Sequence, residues 1–358
     1  MSIDENSTFC RFWWGKSRNA LGKGGALGAA MVLGIAGLAG CSTAETSSQS
    51  ASDTAENAVT VGLTYIPSVQ FAPVYVAEDD GIFDAAGIDA TIRHHGSDEA
   101  LFTALAAGEE DVTIASADEL LQARAAGMDL VSVGAFYHEY PTSILVKADS
   151  GIETLEDLAG HSIGYPGDES GSSWFGLQAA LQEAGLTSND MDLQPIGYTQ
   201  SAALASGQVD AVVGFVNSDA IQLEQLGVET VNLCEDTDFP LIAASIVTTA
   251  QFAEDKPELL TDVVTAINDG VQAVIDDADH ALEVSARYDE TLSDQETRDT
   301  AEAILLATIS LWKASDGQAN ATQDLELWQE MSEFLAALLG LSLEETELEQ
   351  AVTNDYVA

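Results

Sequence analysis

Basic residues are scarce in this chain of 358 residues. It contains 11 Lys and Arg against 60 Asp and Glu, which gives a formal net charge of -49 at pH 7. Binding to DNA or RNA requires clustered Lys and Arg side chains at the phosphates, so this composition excludes nucleic acid as a partner. The acidic residues are spread along the chain, which indicates an acidic, solvated surface and not one interaction tail.

Cysteine is also scarce, with only Cys10, Cys41 and Cys234 present. The first two precede the predicted folded body, so Cys234 has no partner there for an internal disulfide. This shortage excludes a metal or redox centre built on cysteines. The five histidines fit no metal-ligand spacing; they are His94, His95, His138, His161 and His280. We therefore predict neither a metal nor a cofactor.

The apolar run of residues 26–40 is too short and glycine-rich for a membrane span, which needs about 20 apolar residues. It follows a basic segment, as in secretory signal peptides. The tetrapeptide at 38–41, Leu-Ala-Gly-Cys, resembles the lipobox of bacterial lipoproteins, in which the cysteine is acylated and becomes the new N-terminus. An ordinary signal peptide with a chance cysteine is the alternative. We predict a signal peptide over 1–40, lipidation of Cys41 and a flexible tether over 41–57.

The excess of acidic residues predicts that salt stabilises the protein. The predicted signal peptide carries two acids and four bases, so its removal takes the net charge from -49 to -51. Like charges at this density destabilise the compact state, and salt screens them. We expect the melting temperature to rise between low and molar salt when unfolding is followed by circular dichroism. A constant melting temperature would show that the charges lie too far apart to matter.

The pattern from Val59 onward is an alternation of strands and helices in two series. One extended segment, 142–148, lies between the two series, and another, 242–250, follows the second series. The chain beyond residue 256 is predicted to be helical. Such alternation indicates mostly parallel sheets with helices on both faces. Two series joined by two crossings indicate two lobes with a cleft between them.

Five motifs in order carry a resemblance to a known family: FAPVYVAEDDGIFDAAGI, GEEDVTIASADELLQARAAGMDLVSVGAFYHEYP, IETLEDLAGHSIGYPG, GQVDAVVGF and LWQEMSEFLAALLGL. They resemble the solute-binding proteins of ABC importers, in the branch that serves thiamine pyrimidines, riboflavin, taurine and nitrate. The resemblance covers 59–357. It implies an α/β, two-lobed periplasmic-binding-protein fold of type II with a helical C-terminal region. Lobe I would comprise 58–146 and 244–358, and lobe II 147–243.

The same resemblance implies a non-catalytic protein that captures a small molecule. It would act as a monomer on the extracytoplasmic face of the cell membrane, held there by its lipid. Its partners would be the permease and ATPase subunits of an ABC importer.

Candidate ligand-binding residues follow the predicted strands, where ligands of open α/β sheets bind. They are Tyr65, Gln70, Phe71, Ser116, Asp118, Tyr137, Tyr165, Ser172, Ser173, Trp174, Tyr198, Phe215, Asn217 and Asp219. The rings could stack on a flat ligand, and an Asn amide can both donate to and accept from a heterocycle edge. Structural alternatives remain open: core packing for Tyr65, Phe71 and Trp174, and helix capping for the serines, Asp118 and Asn217.

The ligand class depends on Phe71. Pyrimidine binders resemble a fungal synthase of the thiamine pyrimidine in carrying His-Ala-Pro, and this chain has Phe71-Ala72-Pro73. The synthase also carries a cysteine-rich iron motif, which has no counterpart here. The sequence is more similar to the riboflavin-binding group, and riboflavin is the preferred ligand. A hydroxymethyl- or formylamino-pyrimidine is the alternative, and an enzyme of the synthase type is a further, disfavoured one. No Lys or Arg lies in the candidate loops to bind an anion.

Overall fold

A computed structural model of the chain describes residues 57–96, 99–340 and 345–358. The predicted signal peptide, Cys41 and nearly all of the predicted tether lie outside these residues. Within these described ranges, ten strands form two sheets: β1 Ala58–Leu63, β2 Asp89–His94, β3 Val112–Ser116, β4 Leu130–Ala135, β5 Thr142–Lys147, β6 Ser162–Tyr165, β7 Asp192–Pro195, β8 Ala211–Phe215, β9 Thr230–Asn232 and β10 Ala244–Thr249.

Helices cover both sheets, and longer ones follow the last strand. They are α1 Ala72–Asp79, α2 Ile82–Ala85, α3 Thr103–Ala107, α4 Ala117–Ala125, α5 Ser172–Glu183, α6 Gln200–Ser206, α7 Asp219–Gln225, α8 Ala250–Asp255, α9 Pro257–Asp276, α10 Ala278–Ser285, α11 Gln295–Trp312, α12 Leu325–Leu339 and α13 Glu345–Glu349. Short 3₁₀ turns occupy Val69–Phe71, Glu156–Leu158, Ser188–Asp190 and Glu290–Ser293. The residue pattern over 72–86 predicts one helix, but the structure has two, because Gly81 adopts a left-handed φ of 73° and separates α1 from α2.

Both sheets are mixed, but four of the five strands in each run in the same direction, in agreement with the expectation of mostly parallel sheets. The first has the strand order β2-β1-β3-β10-β4 and the second has β7-β6-β8-β5-β9. In each sheet three strands pair in parallel, whereas β10 and β5 pair antiparallel with both of their neighbours. The reason is that each of these two strands enters its sheet directly from the other lobe, without a crossover helix to reverse its direction.

The two crossings therefore define the lobes. The chain first passes between sheets in the segment between β4 and β5, so the expected lobe boundary after residue 146 moves to residues 136–141. It returns between β9 and β10, within residues 233–243. The predicted α/β fold with two lobes and a helical C-terminal region is confirmed.

Close packing of α9 against α1 builds the core of the first lobe. Pro257 begins α9, as its fixed φ favours, and the helix buries an apolar face that includes Val263, Ile267 and Val271. Gly270 lies where the helices meet, and a Cβ atom built there would stand 2.2 Å from the carbonyl oxygen of Pro73. This contact fixes α1, and with it the end of the loop that follows β1.

Within the described part of the chain, no helix combines the length and the apolar character needed to cross a membrane. The thiol of Cys234 is buried, and burial raises its pKa to about 11. A buried thiol with a raised pKa stays protonated near neutral pH and is therefore a weak nucleophile.

Candidate functional site

A cleft of about 550 Å³ lies between the two lobes. Its walls are the segments that follow β1, β3 and β4 in the first sheet and β6, β7 and β8 in the second. All the parallel strands among these present their carboxyl ends to the cleft, as open α/β sheets do at their ligand sites. The volume falls within the ~300–1,000 Å³ typical of small-molecule pockets.

Eleven of the fourteen candidate residues line this cleft: Tyr65, Gln70, Phe71, Ser116, Tyr137, Ser172, Ser173, Tyr198, Phe215, Asn217 and Asp219. Two tyrosines mark its rims, one from each lobe. Tyr65 is 51% exposed after β1, and Tyr198 is 81% exposed before α6. Phe71 lies deeper, with its ring edge-on to His94 at a centroid distance of 6.1 Å.

Asp118 does not line the cleft, contrary to expectation, because it points beneath the floor. Its carboxylate accepts hydrogen bonds from the Tyr140 hydroxyl at 2.8 Å and from the Ser172 hydroxyl at 3.1 Å. Full burial raises the pKa of Asp118 to about 6, and these two bonds oppose the increase. Asp118 begins α4 of the first lobe and Ser172 begins α5 of the second, so this carboxylate joins the lobes.

Tyr165 and Trp174 also lie outside the cleft lining and pack on each other, with ring centroids 5.5 Å apart. Tyr165 belongs to the core beneath the second sheet, and its hydroxyl donates to Glu169. Trp174 points back from the first turn of α5 onto that core. The core alternative proposed for Trp174 is therefore the one the structure shows.

Glu119 and Tyr140 line the cleft and were missed by the sequence analysis. Burial, the neighbouring Asp118 and then Asp168 raise the pKa of Glu119 to about 8, while the Ser116 hydroxyl opposes the shift. Glu119 was missed because acids in a first helical turn are expected to interact with the helix dipole and remain in solvent. The sequence gives one indication of a buried acid here, which is that two consecutive acidic residues stand in the first turn of a helix that continues with apolar residues.

We expect substitution of Glu119 to change the pH dependence of stability. Its folded-state pKa lies above the unfolded value, so the folded state holds an extra proton and stability falls as pH rises towards 8. In Glu119→Gln, the melting temperature should fall less between pH 6 and pH 9, by roughly 3 °C or more. Differential scanning calorimetry measures this. The surface variant Glu109→Gln removes the same charge without the burial, and an equal change in it would contradict the prediction.

Asn217 and Asp219 follow β8 but serve differently. The Asp219 carboxylate accepts a hydrogen bond from the backbone N–H of Phe215 at 2.9 Å, which closes the turn into α7. Burial raises its pKa. Asn217 is fully buried, and its amide nitrogen donates to the Thr308 hydroxyl at 2.9 Å. Its amide oxygen has no hydrogen-bond partner among the described residues.

The chemistry of the lining is aromatic, amide-rich and acidic. Six rings line the cleft: Tyr65, Phe71, Tyr137, Tyr140, Tyr198 and Phe215. Three carboxyl side chains join them: Glu119, Asp168 and Asp219. None of the lining residues within the described ranges is Lys, Arg or His. Such a cleft can stack a flat ring and hydrogen-bond its edge, and it repels anions.

A family model described as "NMT1/THI5 like" matches residues 68–281, more than half of the chain. The riboflavin-binding protein RibY of Chloroflexus aurantiacus is 29% identical over 305 residues, which is 84% of this chain and 86% of that protein. A formylaminopyrimidine-binding protein of Halalkalibacterium halodurans is 23% identical over 292 residues, 80% of this chain and 87% of the other. Shorter matches, over about half of the chain, are to 4-amino-5-hydroxymethyl-2-methylpyrimidine phosphate synthases.

Among solved structures, the fold is similar to the periplasmic aliphatic sulphonate binding protein SsuA from Escherichia coli. The TM-score is 0.66 at 18% identity, covering 83% of this chain and 92% of that one. At this identity the similarity concerns the fold.

Proposed function

Since the chain belongs to the NMT1/THI5-like family, we propose that it is the solute-binding component of an ABC importer and that its ligand is riboflavin. The similarity to RibY over most of both chains supports the first part and favours the second. The permease and ATPase of the importer would be its partners, and the protein would act as a monomer without catalysis.

The observation that carries the proposal is the cleft lining of six rings and three carboxyl groups without a basic residue among the described residues. An isoalloxazine ring is flat and neutral, and tyrosine and phenylalanine faces stack on such rings. Acidic and amide side chains can accept hydrogen bonds from ribityl hydroxyls and from the flavin edge. Sulfonates and nitrate would instead require a cation or many directed donors.

Fluorescence titration tests the proposal. Stacking on tyrosine quenches flavin emission, so adding refolded, ligand-free protein to riboflavin should give saturable quenching. In Tyr137→Ala and Asn217→Ala, the dissociation constant should rise about tenfold or more, while circular dichroism shows the variants to be folded. Absence of both quenching and calorimetric heat with riboflavin would refute the ligand assignment.

A thiamine-precursor pyrimidine is the second candidate ligand, and the similarity to the formylaminopyrimidine-binding protein is the observation that favours it. Two features favour the flavin instead. Phe71 supplies an apolar ring where the pyrimidine binders carry His, and the volume of about 550 Å³ exceeds what one pyrimidine ring fills. Calorimetry with formylaminopyrimidine separates the two, because only the bound ligand should give a saturable heat.

The synthase alternative requires the His of the His-Ala-Pro motif, and Phe71 occupies that position here. Within the described ranges, no group of three or more His, Cys, Asp or Glu residues is placed to hold a metal ion.

Lipid anchoring through Cys41 remains a prediction of the sequence, since that residue lies outside the described part of the chain. We expect Cys41→Ser to release the protein from the membrane fraction or to leave it as an uncleaved precursor. Fractionation followed by detergent extraction and mass spectrometry of the N-terminus measures both outcomes. Correctly cleaved variant that still requires detergent for extraction would contradict the prediction.

A further inference from the structure

We infer that the two lobes close on the ligand with uptake of one proton, which binds to the Asp118 carboxyl where it joins the lobes. Asp118 is fully buried in the first turn of α4. Its partners are Ser172, the first residue of α5 in the second lobe, and Tyr140, in the crossing between the lobes. The inference rests on the proposed function, because it concerns closure on a bound solute. Asp118 does not line the cleft and acts in it as a positioning residue.

The Tyr140 hydroxyl has one hydrogen for two acceptors. Its oxygen lies 2.8 Å from Asp118 Oδ2 and 2.8 Å from the carbonyl oxygen of Ser172. When the carboxyl is ionised, the hydrogen bonds to one of these oxygens, and the other faces the hydroxyl oxygen with no hydrogen between them. When the carboxyl is protonated, Asp118 donates to Tyr140 and Tyr140 donates to Ser172. Only the protonated acid makes both contacts hydrogen bonds.

The arrangement exists only while the lobes are together. Asp118 Oδ1 accepts from the Ser172 hydroxyl at 3.1 Å, so both carboxyl oxygens are connected to the second lobe, Oδ1 directly and Oδ2 through Tyr140. Separation of the lobes would break these connections and return the carboxyl to water, where its pKa is about 4. In the closed arrangement, burial raises the pKa of Asp118 to about 6. Closure therefore increases the affinity of this carboxyl for a proton.

The groups around Asp118 do not offset its charge. Tyr140 faces it from the crossing, and Glu119 lies beside it in α4, with Asp168 of the second lobe acting on Glu119. Neither β3 nor β4, on which α4 packs, contains an ionisable side chain, and α5 has none before its last residue. The contact between α12 and α4 is apolar. Arg124 of α4 forms its ion pair elsewhere, and no described Lys, Arg or His pairs with Asp118.

The sign of the pH dependence follows from the raised pKa. A carboxyl with a higher pKa in the closed state favours closure at low pH, and this contribution is lost as the pH rises through about 6. With a pKa of about 4 in the open state, the affinity for riboflavin should fall about tenfold between pH 5 and pH 7. Above pH 7 the carboxyl is ionised in both states and no longer contributes.

Isothermal titration calorimetry tests the inference. Titrations with riboflavin at pH 5.5, in two buffers of different ionisation enthalpy, should show uptake of about half a proton or more. In Asp118→Asn the amide donates to Tyr140 and accepts from Ser172, as the protonated acid does. This variant should bind riboflavin at pH 7 about tenfold more tightly than the natural protein, with uptake at pH 5.5 reduced by about half a proton or more. Asp84→Asn makes the same change at an exposed acid and should behave as the natural protein does.

Two results would overturn the inference. The first is binding of riboflavin by the natural protein without proton uptake at pH 5.5, which requires no variant. The second is an Asp118→Asn protein that binds more weakly by the same factor at pH 5 and pH 7, as a merely structural role predicts. If riboflavin gives no saturable heat, the proposed ligand is wrong. The difference in proton uptake between the natural protein and Asp118→Asn, measured with formylaminopyrimidine, then tests the inference separately.

Discussion

Riboflavin is expected to bind at least about 100-fold more tightly than its 5′-phosphate, a difference of about 2.7 kcal/mol. The phosphate is a dianion near neutral pH and would enter a cleft that contains Asp168 and Asp219 and no basic lining residue among those described. Two like unit charges about 4 Å apart repel each other by about 4 kcal/mol at the effective dielectric constant of a protein surface. One carboxylate at that distance from the phosphate would therefore account for the expected ratio of affinities. Isothermal titration calorimetry with both flavins measures it.

Glu119 makes this discrimination depend on pH. Its pKa is raised to about 8, so it is mainly protonated at pH 7 and ionised at pH 9. The affinity for the phosphate should fall further across that range, while the affinity for riboflavin changes little. In Glu119→Gln, the ratio of the two affinities should no longer change with pH. In Asp168→Asn, the ratio should be smaller at every pH. The surface variant Glu109→Gln should change neither the ratio nor its pH dependence. Equal affinity for the two flavins would refute an anion-excluding cleft.

Replacement of Gly270 by alanine is expected to lower the free energy of unfolding by about 2–3 kcal/mol, as overpacking of a tight core does. The added methyl group would stand 2.2 Å from the Pro73 carbonyl oxygen and 3.1 Å from the Ala77 Cβ. Backbone atoms of α1 would have to move away from α9. Alanine is favoured over glycine within a helix by about 1 kcal/mol. The measured decrease in the free energy of unfolding is therefore the cost of the steric overlap minus this gain in helix propensity.

Urea denaturation gives the measurement, with Gly96→Ala as the matched control. A Cβ atom at Gly96 meets nothing within 4 Å, so the identical chemical change should leave the free energy of unfolding within about 0.5 kcal/mol. Equal effects of the two substitutions would show that α1 and α9 can separate without cost.

The sequence predicted the lobes and most of the cleft because both depend on local patterns. Strand ends are visible in the alternation of apolar residues, and residues such as Tyr137 and Asn217 follow within two positions of a strand end. Pro257 is likewise a local signal, since proline favours the first position of a helix and α9 begins there. What the pattern cannot tell is which of two consecutive side chains enters the cleft. Asp118 and Glu119 are adjacent, and their directions depend on where Tyr140 and Ser172 lie in space.

Long-range contacts account for the other differences. The antiparallel entry of β5 and β10 depends on how the lobes connect, and no local pattern specifies a strand's direction. The hydrogen bond between Asn217 and Thr308 joins residues 91 positions apart, and no sequence pattern near either residue predicts it. Trp174 was assigned to the cleft from its place beside two lining serines, but a helix turns successive side chains by about 100°, and it faces the core.

The position of β10 has a consequence for the order in which the protein folds. β3 and β4 are consecutive in the chain, yet β10 lies between them and forms the ladders to both. The first sheet is therefore incomplete until residue 249 has left the ribosome, and closing it requires a loop of more than a hundred residues. Such non-local pairing slows folding, because the loop entropy is lost before the strand contacts form. The chain thus keeps its first sheet open until most of it has been synthesised.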